Sequence, residues 1–331
     1  MSNPILNMQG LPPFSQIKPE HIEPAIDQLL DEGRQTIQQV LNNNSVYTWE
    51  NLAQPLEELD DLLSRAWSPV AHMHSVVNSE ELHEAYSACL PKLSTYNTEV
   101  AQNPQLCAAF KQLETNADQL NTAQRKIVTN TLRDFRLSGI DLNPEDQQRY
   151  KTIVQTLSQL TTEFSQNLLD ATDGWSLNIT DETRLSGLPE SALGLTKQAA
   201  EQEGVEGWLF KLEFPFYLPV MTYADNRELR REMYTAYVTR ASDEGPNAGQ
   251  WDNGPLMEQI LALRHELAQL LGFNNYAEYS LATKMAADTD QVIGFLQDLA
   301  KRSLPMAKKE LEELRAFAKQ FDGSEELEAW D

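Results

Sequence analysis

The side chains best suited to chemistry in this 331-residue chain are five histidines, two cysteines and a large excess of carboxylates. The most suggestive cluster is His265-Glu266-Leu267-Ala268-Gln269. It is one residue from H-E-x-x-H, in which two histidines at i and i+4 grip one zinc ion from one helix face and the glutamate acts as general base. Here the second ligand position is Gln269, and a neutral amide is a poor zinc ligand beside imidazole or carboxylate. Leu256, Ile260, Leu263, Leu267, Leu270 and Leu271 form one stripe of the same helix, which puts His265 on the opposite, outer face. The cluster therefore reads as the polar side of an amphipathic helix. Metal-free catalysis by His265 and Glu266 is the rival reading, and peptidase activity in chelator would support it.

The other candidates are weaker. His72 and His74 sit two residues apart in a helical pattern, where side chains diverge by about 200° and cannot share a metal. His83-Glu84 reads as a pair of polar side chains facing solvent near a helix start. The pairs Asp60-Asp61 and Glu325-Glu326 point apart on a helix. There is no G-x-S-x-G, no G-x-x-x-x-G-K-[ST] and no G-x-G-x-x-G. No catalytic residue and no metal ligand is assigned, and the substrate-binding residues remain unassigned. Cys89 and Cys107 are isolated, outside any C-x-x-C pair, and read as packed thiols in a reducing compartment.

Charge narrows the partners. Fifty acids against 26 bases give a net charge of −24, a surface that repels phosphate and so excludes nucleic acid and anionic membranes as natural partners. No apolar run reaches the roughly 18 residues of a membrane span. The N-terminus, MSNPILNMQGLPPF, shows neither the basic nor the apolar region of a signal peptide.

The elements that must position these residues are mostly helices. Pro19 opens a first helix with apolar positions at Ile22, Ile26, Leu29, Leu30, Ile37, Val40 and Leu41. Thr48 caps a second, Asn78 with Glu81 looks like a capping box for a third, and Asn103-Pro104 opens a fourth. TAQRKIVTNTLRDFRLSG is a fifth, ended by Gly139, and Asn143-Pro144-Glu145 starts a long sixth. WSLNIT (175–180) and GWLFKLEF (207–214) then alternate like strands, with a short helix beginning near Pro189 between them. Helices are expected again from about Asn226, from Pro255 to Leu271, and from a capping box at Asp288 and Gln291, with Pro305 kinking or breaking the last. The reading is a mostly α protein: helical over 1–172, a small β element over 173–215, helical over 216–331. No polar linker separates two domains.

Several stretches, taken in order, resemble the thimet oligopeptidase family of zinc metallopeptidases, over that family's N-terminal part. They include NPILNMQGLPPFSQIKPEHIEPAI, YTWENLAQPLEELDD and LNTAQRKIVTNTLRDFRLSGIDL. The most specific is YLPVMTYADNRELRREMYTAYVTRASDEGPNAGQWDN, followed by LALRHELAQLLGFNNYAEYSLATKMA. The resemblance implies one lobe of a two-lobed helical fold flanking a narrow channel that admits short peptides in the cytoplasm. It also implies a zinc ion held by an H-E-x-x-H motif beyond Asp331, outside this chain, so that no family site residue carries over to a position here. The expected partners are short oligopeptides and the missing C-terminal catalytic part, with this chain by itself inactive. A free-standing helical peptide-binding or scaffold protein is the alternative. Val292, Phe295, Leu296, Leu299, Leu311, Leu314, Phe317 and Phe321 exceed what a solvent-facing helix needs. Some are expected to pack within the chain, and the rest to be mobile or buried by self-association.

Overall fold

Lysine, not a typical cap, precedes the first helix, α1 (Pro19–Asn43): the Lys18 N–H donates to His21 Nδ1 at 3.2 Å, and Pro19 fills the first helical position. That proline's missing N–H would have had no helical partner there in any case. A computed structural model describes residues 3–8, 10–323 and 326–331. Met1, Ser2, Gln9, Ser324 and Glu325 of the Glu325-Glu326 pair lie outside the described residues.

Side-chain caps fix most of the next boundaries. Thr48 Oγ1 accepts from the Asn51 N–H, and a single π-helical turn (Trp49–Ala53) leads into α2 (Gln54–Val76). The cap of α3 (Glu80–Ala101) is Ser79, whose Oγ accepts from the Leu82 N–H at 3.2 Å, one residue later than the expected Asn78. Asn103 caps α4 (Pro104–Thr115) and Asn121 caps α5 (Thr122–Leu137). Gly139, at φ +79°, turns the chain out of α5, and α6 (Pro144–Asp173) begins where Asn143 Oδ1 accepts from the Asp146 N–H.

Two compact units result. The first comprises residues 1–159 and 263–279. In it α1, α2 and α3 close over Ile22, Ile26, Leu30, Val70, Leu82 and Cys89. The far end of α1 meets α4 and α5 over Leu106, Phe110, Leu113, Val128 and Phe135. Tyr150 and Ile153 of α6 bury Leu267 of α10 (Gly254–Leu270). The short α11 (Tyr276–Leu281) follows.

The second unit comprises residues 160–262 and 280–331. It holds the small β element: β1 (Ser176–Ile179) pairs antiparallel with β2 (Trp208–Lys211), Ile179 opposite Trp208, and α7 (Glu190–Gln202) connects them. Phe210, Ile179, Val220, Leu229 and Met233 fill the core beneath. Helix resumes at α8 (Phe214–Tyr223), two residues before the helical region expected from 216 and ahead of the first helix expected there, near Asn226, which is α9 (Arg227–Val238). The α8 sequence, FPFYLPVMTY, has two prolines and almost no polar residue, so no 3.6-residue alternation marks it.

Between α9 and α10 the chain makes a long loop with Ala241 and Trp251 at φ +51° and +59°. Asn253, 2% exposed, pins the loop to α6: its Nδ2 donates to the Phe164 carbonyl at 3.0 Å and its Oδ1 accepts from Asn167 at 2.9 Å. The Trp251 ring lies so close to Gly174 that a Cβ there would come within 2.3 Å of it. The last helix, α12 (Thr289–Phe321), is capped by Asp288 and runs through Pro305 without breaking. Pro305 has no N–H to donate to the Lys301 carbonyl four residues back, which the helix tolerates.

Candidate functional site

The H-E-L-A-Q stretch has structural duties. Glu266 accepts a two-pronged ion pair from Arg149 of α6, with Nε and Nη2 at 2.5 and 2.6 Å. Those hydrogen bonds hold its carboxyl below the usual glutamate range. Gln269 Nε2 donates to the carbonyls of Phe273 and Asn274, tying off the end of α10. His265 is exposed while Leu267 and Ala268 are buried, the facing expected from the leucine stripe.

The other histidines behave partly as read. His72 lies beside the Phe14 ring, and His74 turns away from it into the α2–α3 packing. Sequence reasoning missed that His74 Nε2 sits 3.1 Å from His83 Nδ1 across the turn between α2 and α3. Burial, then the His83 charge, lowers the His74 pKa. Stacking on Tyr86, at 4.1 Å between ring centres, accounts for its placement. Among the described residues no three His, Cys, Asp or Glu side chains gather as a metal site.

What remains is an uncovered apolar surface. None of the described residues of α12 is buried. Seven of the eight apolar positions expected to need a partner are exposed, from Leu311 at 41% to Phe321 at 76%, and only Val292 is half-buried. The last turns of α12 face Met221 and Tyr223 of α8 across a cleft of about 730 Å³. At its edge the chain ends in a clasp. Arg227 holds both oxygens of the Asp331 side chain, at 2.8 and 2.6 Å. Arg230 donates to Asp331 Oδ1 at 3.1 Å and to the Trp330 carbonyl at 2.7 Å. The Trp330 ring leans on Tyr234.

The clasp has a defined response to acid. Its carboxyl is 8% exposed and is held well below the usual range, chiefly by hydrogen bonds from Arg227. A depressed pKa contributes stability that is complete above the unfolded value, about 3.9, and fades only as pH falls below it. The Trp330 indole NMR signal is therefore expected to keep its position from pH 7 down to about 4 and to move only in stronger acid. Arg230→Ala is expected to loosen residues 326–331 by about 1–3 kcal/mol at pH 7, read as faster hydrogen exchange there. An indole signal that shifts between pH 7 and 5 contradicts this assignment.

Residues 26–149 match the family model of the neurolysin and thimet oligopeptidase N-terminal domain, and residues 220–331 match that of peptidase family M3. The whole chain aligns with oligopeptidase A of Haemophilus influenzae at 56% identity and with that of Salmonella typhimurium at 57%. By these matches the chain is similar to peptidase family M3 and its oligopeptidases. A probable cytosolic oligopeptidase A of Arabidopsis thaliana is 37% identical, again across all of this chain. The alignments cover 49%, 49% and 48% of these three M3 relatives, so the chain spans about half the length of the curated relatives it matches. The solved structure of PZ peptidase A with inhibitor 2 shares the fold: TM-score 0.59 at 17% identity, over 96% of this chain and 47% of that one.

Proposed function

We propose that this chain is the non-catalytic N-terminal half of a zinc metallo-oligopeptidase that hydrolyses short peptides, and that the other half covers α12. The observation that carries the reading is the bare apolar face of α12 in a chain half as long as its M3 relatives. The residues present here do not fit a zinc site: Glu266 is committed to Arg149 and Gln269 to backbone carbonyls. No step of hydrolysis is therefore assigned to this half. Its role is steric, forming part of the wall of a channel that admits short unfolded peptides. A cytoplasmic location is supported by two free, buried thiols, Cys89 and Cys107.

The partition of zinc tests the proposal. Purified without chelator, the protein extended to the length of its relatives is expected to carry about one zinc per chain and to lose peptide hydrolysis to a chelator. The 331-residue chain is expected to carry none in stoichiometric amount. One tightly held zinc in this chain, lost on His265→Ala, overturns the assignment, as does hydrolysis that survives chelation.

A further inference from the structure

A second cleft, of about 290 Å³, opens among α1 to α5 within the first unit. Its floor is apolar: Ile37, Leu106, Phe110 and Phe135 are buried core residues that also line it. Its lining includes three carboxylates, Glu57 and Asp60 of α2 and Asp134 of α5, and no lysine or arginine. Asp134 is neutralised by Arg133 at 2.8 Å. Glu57 and Asp60 have neither a hydrogen bond nor an ion pair among the described residues. Spaced i and i+3, they lie on one face of α2, one turn apart. The volume is close to that of the smaller ligand pockets, about 300 Å³, which combine apolar walls with a few placed polar groups.

We propose that this cleft binds an amphiphilic ammonium ligand, with an apolar group on the Ile37–Phe110–Phe135 floor and a primary ammonium between Glu57 and Asp60. Complementarity of two kinds meets at one place. The apolar floor rewards burial of a phenyl or branched alkyl group. The two unpaired carboxylates favour a cation and repel an anion, while a neutral ligand gains only from the floor. Two sources present this chemistry: a free amine, and the N-terminus of a short peptide whose first residue is apolar. The proposal stands independently of the peptidase assignment.

The test is a calorimetric or saturation-transfer NMR titration of the 331-residue chain with four probes. These are 4-phenylbutylamine, 4-phenylbutyrate, Phe-Gly-Gly amide and its N-acetyl form. The amine is expected to bind at least about tenfold tighter than the acid, and added salt should narrow the gap. Glu57→Gln with Asp60→Asn, both at exposed positions, is expected to bring the two within about twofold. Ala101→Leu, which fills the cleft, should abolish binding. If the unblocked tripeptide outbinds its acetylated form by about tenfold, the peptide source is supported; if only 4-phenylbutylamine binds, the free amine is. No binding of either ammonium probe, equal binding of amine and acid, or an unchanged preference in the double variant overturns the proposal.

Discussion

The 331-residue chain, purified as it stands, is expected to leave a short quenched-fluorescent peptide uncleaved. The same protein extended through the second half of its M3 relatives is expected to cleave it at least about 10⁴-fold faster. The physical ground is that hydrolysis near neutral pH needs a water made nucleophilic by a metal or a general base. The carboxylate nearest to that description, Glu266, is ion-paired to Arg149, which favours its charged form but occupies both of its oxygens. His265 projects from the exposed side of α10. Turnover by the clean 331-residue chain within tenfold of the longer protein, and undiminished by chelator, contradicts this account and revives His265 and Glu266 as a metal-free pair.

Self-association is the second large effect. Burial of a large apolar side chain contributes roughly 1.5–3 kcal/mol, and α12 offers Leu314 at 58% exposure and Phe317 at 62%, with the Phe317 and Phe321 rings stacked. With nothing else covering them, two copies of the chain are expected to bury these faces against each other. Leu314→Glu with Phe317→Glu removes two such contributions, about 3 kcal/mol at the low end, and should weaken the association by at least about 100-fold. Sedimentation equilibrium of both proteins measures it. Because these positions are exposed in the single chain, the double variant should keep its helical content, while its melting temperature loses the concentration dependence that association gives the wild type. A wild-type chain that is strictly monomeric, with hydrogen-exchange protection after residue 288 equal to that of the earlier helices, shows instead that α12 is self-sufficient.

Much of the fold was legible because its boundaries are set by short-range chemistry. Pro19, Thr48, Asn103, Asn121, Asn226 and Asp288 stand within a residue of where helices begin, since each either lacks or satisfies an orphan N–H. The two strands showed through their alternation. What failed were features that depend on distant partners. The apolar helix α8 is fixed by packing on β2 and α9 rather than by a polar face. The choice of Ser79 over Asn78 as a cap is a matter of one residue of register. The His74–His83 contact and the Arg149–Glu266 pair join residues whose proximity only the tertiary structure creates. For the candidate site the sequence exposed the surplus apolar residues after 288, because amphipathic excess is a local count. It was silent on the clasp around Asp331 and on the cleft bordered by Glu57 and Asp60.

The packing of Trp251 on Gly174 ties two positions 77 residues apart into one heritable unit. Any side chain at 174 would enter the space the indole occupies. Any gain of bulk there needs position 251 to shrink and the Asp170 carbonyl, 2.8 Å from the added Cβ, to shift as well. Trp251 in turn holds a left-handed backbone that an aromatic residue adopts only under constraint, so its loss relaxes the loop as well as emptying the contact. Among descendants of this sequence, glycine at 174 and tryptophan at 251 should therefore be kept or lost together, and a lineage carrying one without the other should show a rebuilt loop between 241 and 253.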